Sequence, residues 1–480
     1  MDPGRVTLAR PLTLDDDRIL PTEPHVRSVA REIYAAVRDL PIISMHGHVD
    51  AGILARDEAF PDPAQLLVVP DHYVTRMLVS QGARLEDLGV LRTDGGPVET
   101  DGRAIWRRFC AGWHLHRGTP SRLWLEQELH DVFGVRVEPS AGTADEIYDV
   151  IADCLARPEF RPRALFDRFG IEVLATTDSP LDDLADHRAI AASEWRGRVV
   201  PTFRPDALVH VDRPSWRTDV ERLAEVSGVG TTTYEGFLGA LRQRRDHFVA
   251  CGALSTDHGH ATADSRPLEA GEAEAIYASA LAGSVTPQQA RAFAAHMLFE
   301  MARMSTEDGL VMQIHPGVAR DYDPGVHELF GADKGFDIPT PVDFVRGLRP
   351  LLQAFGRHPR FRCVLFTIDE TTYSRELAPL AGVFPSVRLG VPWWFLDSPY
   401  AMRRFREATV ETAGLYNGAG FVDDTRAFAS IPARHDVARR VDSGFLADLV
   451  GRGQLRLDEA LETAVDLTVT LPRLAYQRQG

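Results

Sequence analysis

Residues 41–50 read PIISMHGHVD: a short apolar run, two histidines separated by one glycine, then an acid. Imidazole is a common metal ligand, and residues two apart on an extended segment project to one side, so His46 and His48 can face one point. Far along the chain, AGFVDDTRAF (419–428) sets Asp424 and Arg426 at the end of another apolar run. Two imidazoles and a carboxylate suit a borderline divalent cation such as Zn²⁺, with positions left open for substrate or water. Each piece also has a plainer reading. An isolated HxH is usually an accident of composition, and His315, which closes LVMQIH (310–315), stands open between a further ligand and a hydrogen-bonding group beside the substrate. Trp393-Trp394 stands open between core and pocket wall, and His187 and His296 lie in helical patterns and read as surface or packing residues.

Groups this far apart in sequence can act together only if the fold gathers them. Short apolar or β-rich runs ending in polar or Gly/Pro-containing sequence recur: PIISMH (41–46), IEVLATT (171–177), RVVPTF (198–203), FVACGALS (248–255), LVMQIH (310–315), FRCVLFTI (361–368), VRLGVPW (387–393) and AGFVDD (419–424). Patterns of helical period lie between most of them, including 145–156, 288–304, 340–356 and 398–414. Strand and helix alternating eight times predict an α/β fold, a (β/α)8 barrel of the TIM type, with its chemistry at the C-terminal ends of the strands. A doubly wound sheet is the competing arrangement, but SGVGTTT (227–233), the one glycine-rich candidate, lacks dinucleotide-binding spacing. Closing the barrel makes the first and eighth strands neighbours, which is how Asp424 could join His46 and His48. The other run ends offer Thr177-Asp178, Arg204-Pro205-Asp206, Asp257-His258 and Asp369-Glu370.

About 120 residues with little strand character separate the first and second runs, too many for a structureless loop. The expected organisation is an N-terminal segment with the first strand (1–59), a helical insertion (60–160), and the remaining barrel with closing helices (161–480). The chain has 480 residues, 44% hydrophobic and 25% charged, which is enough for one large barrel carrying such an insertion. The net charge of −16 leaves no broad basic surface to neutralise phosphates, so no nucleic-acid partner is expected, and Arg242, Arg244 and Arg245 read as a solvated helix face. Cys110, Cys154, Cys251 and Cys363 are scattered and read as reduced thiols of a cytoplasmic protein. No secretory h-region and no membrane-length apolar run is evident, so no membrane association is expected.

Further stretches narrow the reading: DHYVTR (71–76), TTDSPLDDLADH (176–187), PTFRPD (201–206), STDHG (255–259), MQIHPG (312–317), GADKGFDIPTP (331–341), PWWFLD (392–397) and DDTRAF (423–428). With HxH after the first strand and Asp after the last, the chain resembles the uronate isomerase (glucuronate isomerase) family of the amidohydrolase superfamily over about residues 41–450. The resemblance implies one divalent metal ion, Zn²⁺ being the expected identity, and an aldose–ketose isomerisation of hexuronates: D-glucuronate to D-fructuronate and D-galacturonate to D-tagaturonate. It implies that His46 and His48 bind the metal, with Asp424 beside it as base and weak ligand. Tyr73 and Arg426 would serve the carbonyl end, and His72, Arg204, His315 and Trp394 are the expected substrate contacts. An oligomer is compatible with the resemblance, though no residue pattern here shows one. Gly47 between the histidines, and the continuation after MQIHPG, depart from the family pattern.

The residue types fit that chemistry. Moving a carbonyl from carbon 1 to carbon 2 requires lifting a weakly acidic proton and stabilising an enediol, tasks for a positioned base and hydrogen-bond donors. A guanidinium is a poor base and a good clamp, so Arg426 takes the second role. The same histidines and aspartate could instead activate water, as in an amidohydrolase or lactonase, or serve isomerisation of a related sugar. The arginines of FRPD and DTR favour a polyhydroxylated acid. A binding protein or sensor that kept the fold is a third reading.

Overall fold

Strand phase organises the core. Ile43, Met45, Val173, Ala175, Val311, Val364 and Phe366 pack in one apolar cluster. The residues between them in sequence, Ile42 and Leu174 on one side and Met312, Cys363 and Leu365 on the other, join two clusters that also contain the helices' apolar faces. Side chains two apart share a face, so strands buried on both faces must read as continuous apolar runs. The computed structural model describes residues 9–478; residues 1–8 of the expected N-terminal segment and the final two lie outside the described residues.

The strands are β1 (Ile42–Ser44), β2 (Ile171–Ala175), β3 (Val199–Val200), β4 (Ser255–His258), β5 (Val311–Ile314), β6 (Cys363–Leu365) and β7 (Val387–Leu389). They pair in parallel, β1-β2-β3 and β4-β5-β6-β7. Phe203 bridges both Asp178 and Thr256, which joins the two sheets between β3 and β4. On the other side Leu389 bridges Gly418. The circuit returns to the first strand through two backbone bonds: Asp424 N–H donates to the His46 carbonyl at 3.2 Å, and His48 N–H donates to that of Thr425 at 2.9 Å.

The segment carrying AGFVDD is therefore the eighth member of the ring, but it forms no strand ladder. Gly420 at φ +79° and Asp424 at φ +42° turn its backbone out of extended geometry. The run 248–255 is also corrected: Phe248 to Ala250 end the helix Tyr234–Ala250, and the strand starts at Ser255. A short apolar run does not distinguish helix from strand by period. The expected helix over 340–356 divides into Phe344–Gly347 and Arg349–Phe355, where Pro350 lacks the N–H a continuous helix would use. Helices Ala144–Leu155, Pro287–Asp308 and Pro399–Ala413 match the other three patterns closely.

Between β1 and β2 run Pro63–Leu67, His72–Val79, Gly102–Ala111, Pro120–Gln127 and Ala144–Leu155, whose apolar residues share a cluster with Ile42, Ile171 and Leu174 of the barrel. The arginine face on Tyr234–Ala250 is not solvated. Arg245 is buried and makes a bidentate pair with Asp308 at 2.5 and 3.0 Å, and Arg244 donates to the carbonyls of Pro180 and Asp182. Arg242 alone reaches a surface partner, Glu307. All four cysteines are free thiols. Among the described residues no helix is long and apolar enough to cross a membrane.

Candidate active site

The site stands where the strands end. β1 stops at Ser44, so strand alternation does not position the histidines. Their backbone bonds to the 424–425 segment do, and they set the two rings edge to face with centroids 5.2 Å apart. Nε2 of His46 lies 3.3 Å and Nε2 of His48 3.1 Å from Oδ1 of Asp424. Asp424 takes the left-handed backbone conformation that Asp tolerates better than most residues. Burial would raise its pKa, but the two imidazoles prevail and hold it well below the usual carboxylate range.

A second group converges on His46 from β4 and β5. His315 stacks on His46 with centroids 4.6 Å apart and on Phe366 at 4.2 Å. Its Nδ1 comes within 2.7 Å of Asp257 Oδ1, yet neither atom makes an aligned hydrogen bond. Burial opposes charge on Asp257, but Arg204, His315 and His46 outweigh it and hold the carboxyl well below its ordinary pKa. His46 with His48 and Asp424, and His46 with Asp257 and His315, each bring three ligand atoms within 4.8 Å of one another. Buried nitrogens and carboxylate oxygens that face each other without hydrogen-bond geometry are what a shared divalent cation would satisfy, so this donor set fits a metal.

Across the cleft, Asp71 caps the helix His72–Val79 by accepting the Tyr73 N–H at 2.8 Å, which fixes the first turn. Tyr73 is buried edge to face against Trp394 at 4.6 Å, beneath the guanidinium of Arg434 at 4.7 Å. Burial pushes its phenol well above the ordinary value and drives His72 down to about 3, so both are neutral near pH 7. Trp394 itself sits at φ +54°. For a bulky residue that conformation costs about 1–3 kcal/mol and persists only where surrounding structure enforces it. Arg204 is gripped by Asp206 at 2.8 Å and Asp257 at 3.2 Å, and Arg426 by Asp333 at 2.9 Å.

One cleft thus gathers His46, His48, His72, Tyr73, Arg204, His315, Trp394, Asp424 and Arg426, every site residue expected from sequence. A family model described as glucuronate isomerase matches residues 24–470. The chain belongs to the glucuronate isomerase family. It is 56% identical over 464 residues to the uronate isomerase of Rhizobium meliloti (strain 1021), covering 97% of this chain and 99% of that one. The crystal structure of glucuronate isomerase from Caulobacter crescentus superposes with a TM-score of 0.96 at 51% identity, covering 98% of each chain. That of uronate isomerase from Thermotoga maritima gives 0.90 at 29%, covering 97% of this chain and 99% of that one.

Within this glucuronate isomerase fold, the cleft also contains Trp393, which the sequence left open between core and pocket wall, Asp257, which it placed only at a run end, and Asp71, Arg320, Asp333 and Asp337, to which it assigned no role. Asp257 had a usable signal. It shares strand phase with Ser255, which accepts a hydrogen bond from the inward-facing Gln313 of β5 at 3.2 Å. An acid on the inner face of an otherwise well-buried strand calls for a partner. His258, its neighbour, points elsewhere and meets the Thr256 hydroxyl. Arg320, Asp333 and Asp337 arrive through a ribbon, Val318–Ala319 paired antiparallel with Ile338–Pro339, and a two-residue pairing leaves no periodic trace in sequence. His187 and His296 are packing residues bonded to the Thr176 and Tyr234 hydroxyls.

Proposed function

We propose that this chain catalyses the aldose–ketose isomerisation of hexuronates, D-glucuronate to D-fructuronate and D-galacturonate to D-tagaturonate, with the residues of this cleft dividing the work. The observation that carries the reading is the pairing of a proton-accepting carboxylate, Asp424, with a neutral phenol, Tyr73, and a guanidinium, Arg426, in one cleft of a chain of this family. His46, His48 and Asp424, with His315 and Asp257 on the other side of His46, would hold the divalent metal, for which Zn²⁺ suits the nitrogen-rich set. When bound, the ion supplies a Lewis acid that polarises substrate oxygens.

Asp424 is ionised at neutral pH and takes part in removing the proton from carbon 2. Tyr73 keeps its proton and can pass it between the oxygens of carbons 1 and 2, while Arg426 spreads the negative charge that develops there. His72 and Trp394, in contact with ring centroids 4.2 Å apart, form a wall against which the sugar is oriented. His315 and Arg204 complete the substrate's surroundings. Four free thiols suit a reducing compartment, and we assign the reaction to the cytoplasm.

Two substitutions test the division. Asp424→Asn keeps a residue that tolerates positive φ and should lower kcat by about 10²–10⁴-fold while sugar-acid binding persists; turnover near the wild-type rate would remove Asp424 from proton transfer. His46→Ala, which touches both ligand groups, should lose stoichiometric metal by elemental analysis, and a variant that still copurifies with one equivalent contradicts the ligand set.

A further inference from the structure

Every guanidinium in the cleft is already paired with a carboxylate of the chain. Arg204 lies between Asp206 and Asp257, at 2.8 and 3.2 Å. Arg320 faces Asp337 at 3.2 Å and Asp333 at 3.7 Å, and Arg426 faces Asp333 at 2.9 Å. Asp333 therefore hydrogen-bonds Arg426 and stands within ion-pair distance of Arg320, whose hydrogen-bonded carboxylate is Asp337. The place of Asp333 is not casual. Its backbone is held at φ +60° with its N–H donated to Asp321 at 3.1 Å. Two residues on, Gly335 at φ +87° lies so close to His72 that a side-chain carbon there would come within 3.0 Å of the His72 Cβ. The ribbon loop is pinned at both points, and Asp333 is delivered to Arg426 by fixed backbone.

A hexuronate is a carboxylate at one end and a carbonyl at the other. A cleft lined by arginines can take it in either direction, and an unpaired arginine binds a carboxylate bidentately. Capture of the acid end at Arg426 would carry carbons 1 and 2 away from Tyr73 and Arg426, the pair that serves their oxygens. We propose that Asp333 sets the direction in which the sugar acid binds, by pairing with Arg426, beside an Arg320 already held by Asp337, so that the substrate's own carboxylate is refused at Arg426. Arg426 keeps donors for the neutral oxygens of the carbonyl end, and the acid end is left to the His46–His48 side. This rests on the hexuronate reading above and names a determinant of orientation within it.

The test compares metal-loaded wild type with Asp333→Asn, which is close in shape, tolerates the same backbone conformation and removes only the charge. Calorimetry with the diacid D-glucarate reads the carboxylate site directly, without turnover. Asp333→Asn should bind it about tenfold or more tightly than wild type does, since a charge-assisted pair becomes available to the ligand. With D-glucuronate, wrong-way binding should lower kcat and KM in the same proportion and leave kcat/KM nearly unchanged. Asp333→Gly, which also accepts positive φ, should move both readouts the same way. Unchanged or weaker D-glucarate binding in both variants would overturn the proposal, as would a fall in kcat/KM without a fall in KM, because Asp333 would then only brace Arg426. Failure of the hexuronate reading shows separately, as absence of turnover in the wild type, and the D-glucarate comparison still decides the role of Asp333.

Discussion

Replacing Arg434 by methionine should destabilise the protein by about 3 kcal/mol, the lower end of what removing one member of a buried ion pair costs. Arg434 lies on the helix Ile431–Gly451 with its side chain wholly buried. It donates to Asp397 at 2.7 Å, to the Ser430 hydroxyl at 3.1 Å and to the Asp423 carbonyl at 3.3 Å. Its guanidinium lies 3.6 Å above the Trp124 ring and 4.7 Å above that of Tyr73. Burial already pushes the Asp397 carboxyl up to about 7 against the pull of Arg434. Without the arginine, that carboxyl takes a proton rather than remaining as a bare buried anion, which keeps the loss near the lower bound. Methionine replaces much of the stem's packing, so most of the remaining loss is in the hydrogen bonds and ring contacts.

The cycle with Asp397→Asn makes the reasoning quantitative. If the penalty lies in an orphaned partner, the double variant should recover about 1–2 kcal/mol relative to Arg434→Met alone, since contacting residues are not additive. Urea denaturation followed by tryptophan fluorescence at pH 7 reads both values. Tyr73 loses the cation above its ring, so kcat should fall more than KM rises. Arg434→Met within about 0.5 kcal/mol of wild type, a range usual for surface changes, would refute the argument. So would a double variant no more stable than the single one.

Asp178 should make stability depend on pH. Burial raises its carboxyl to about 7. The folded state therefore holds a proton that the unfolded state releases near pH 4, and this contribution is complete below about pH 4 and lost as pH rises through about 7, some 4 kcal/mol in all. The difference between urea midpoints at pH 5 and pH 8 should narrow in Asp178→Asn, leaving the share that Asp397, also raised to about 7, contributes; an unchanged difference would remove Asp178 as a source. Gly259→Ala should lower kcat/KM by about 10²-fold with little loss of stability, because even small misplacements of positioned groups slow the reaction. A Cβ there would lie 2.8 Å from both Arg204 Nη2 and Asp206 Oδ2, and unaltered kinetics would mean that Arg204 is free to move.

Much of this molecule is legible in its sequence because the decisive signals are local. Apolar runs buried on both faces, such as VMQI of β5, announce parallel strands whatever surrounds them. HxH and DTR declare their chemistry by residue type, and the ring closure that unites His46 with Asp424 follows from counting eight runs. What escaped is what the third dimension decides. The eighth run is apolar like a buried strand, yet Gly420 and Asp424 turn it, since its task is to aim a carboxylate rather than extend a ladder. Arg245 looks like surface charge until Asp308 arrives from another helix to neutralise it. Asp333 lies some ninety positions from Arg426, in a loop whose course depends on a two-residue ribbon and on Gly335 meeting His72.

The central claim is that this cleft moves a proton between neighbouring carbons of a sugar acid. Proton NMR of the Zn²⁺-loaded protein with D-glucuronate, and then D-galacturonate, in deuterated water tests it without coupling enzymes. The 2-ketose signals of at least one sugar should appear, with deuterium entering at the carbons between which the proton moves. No ketose and no exchange with either sugar, from folded protein carrying a full equivalent of metal, would contradict it.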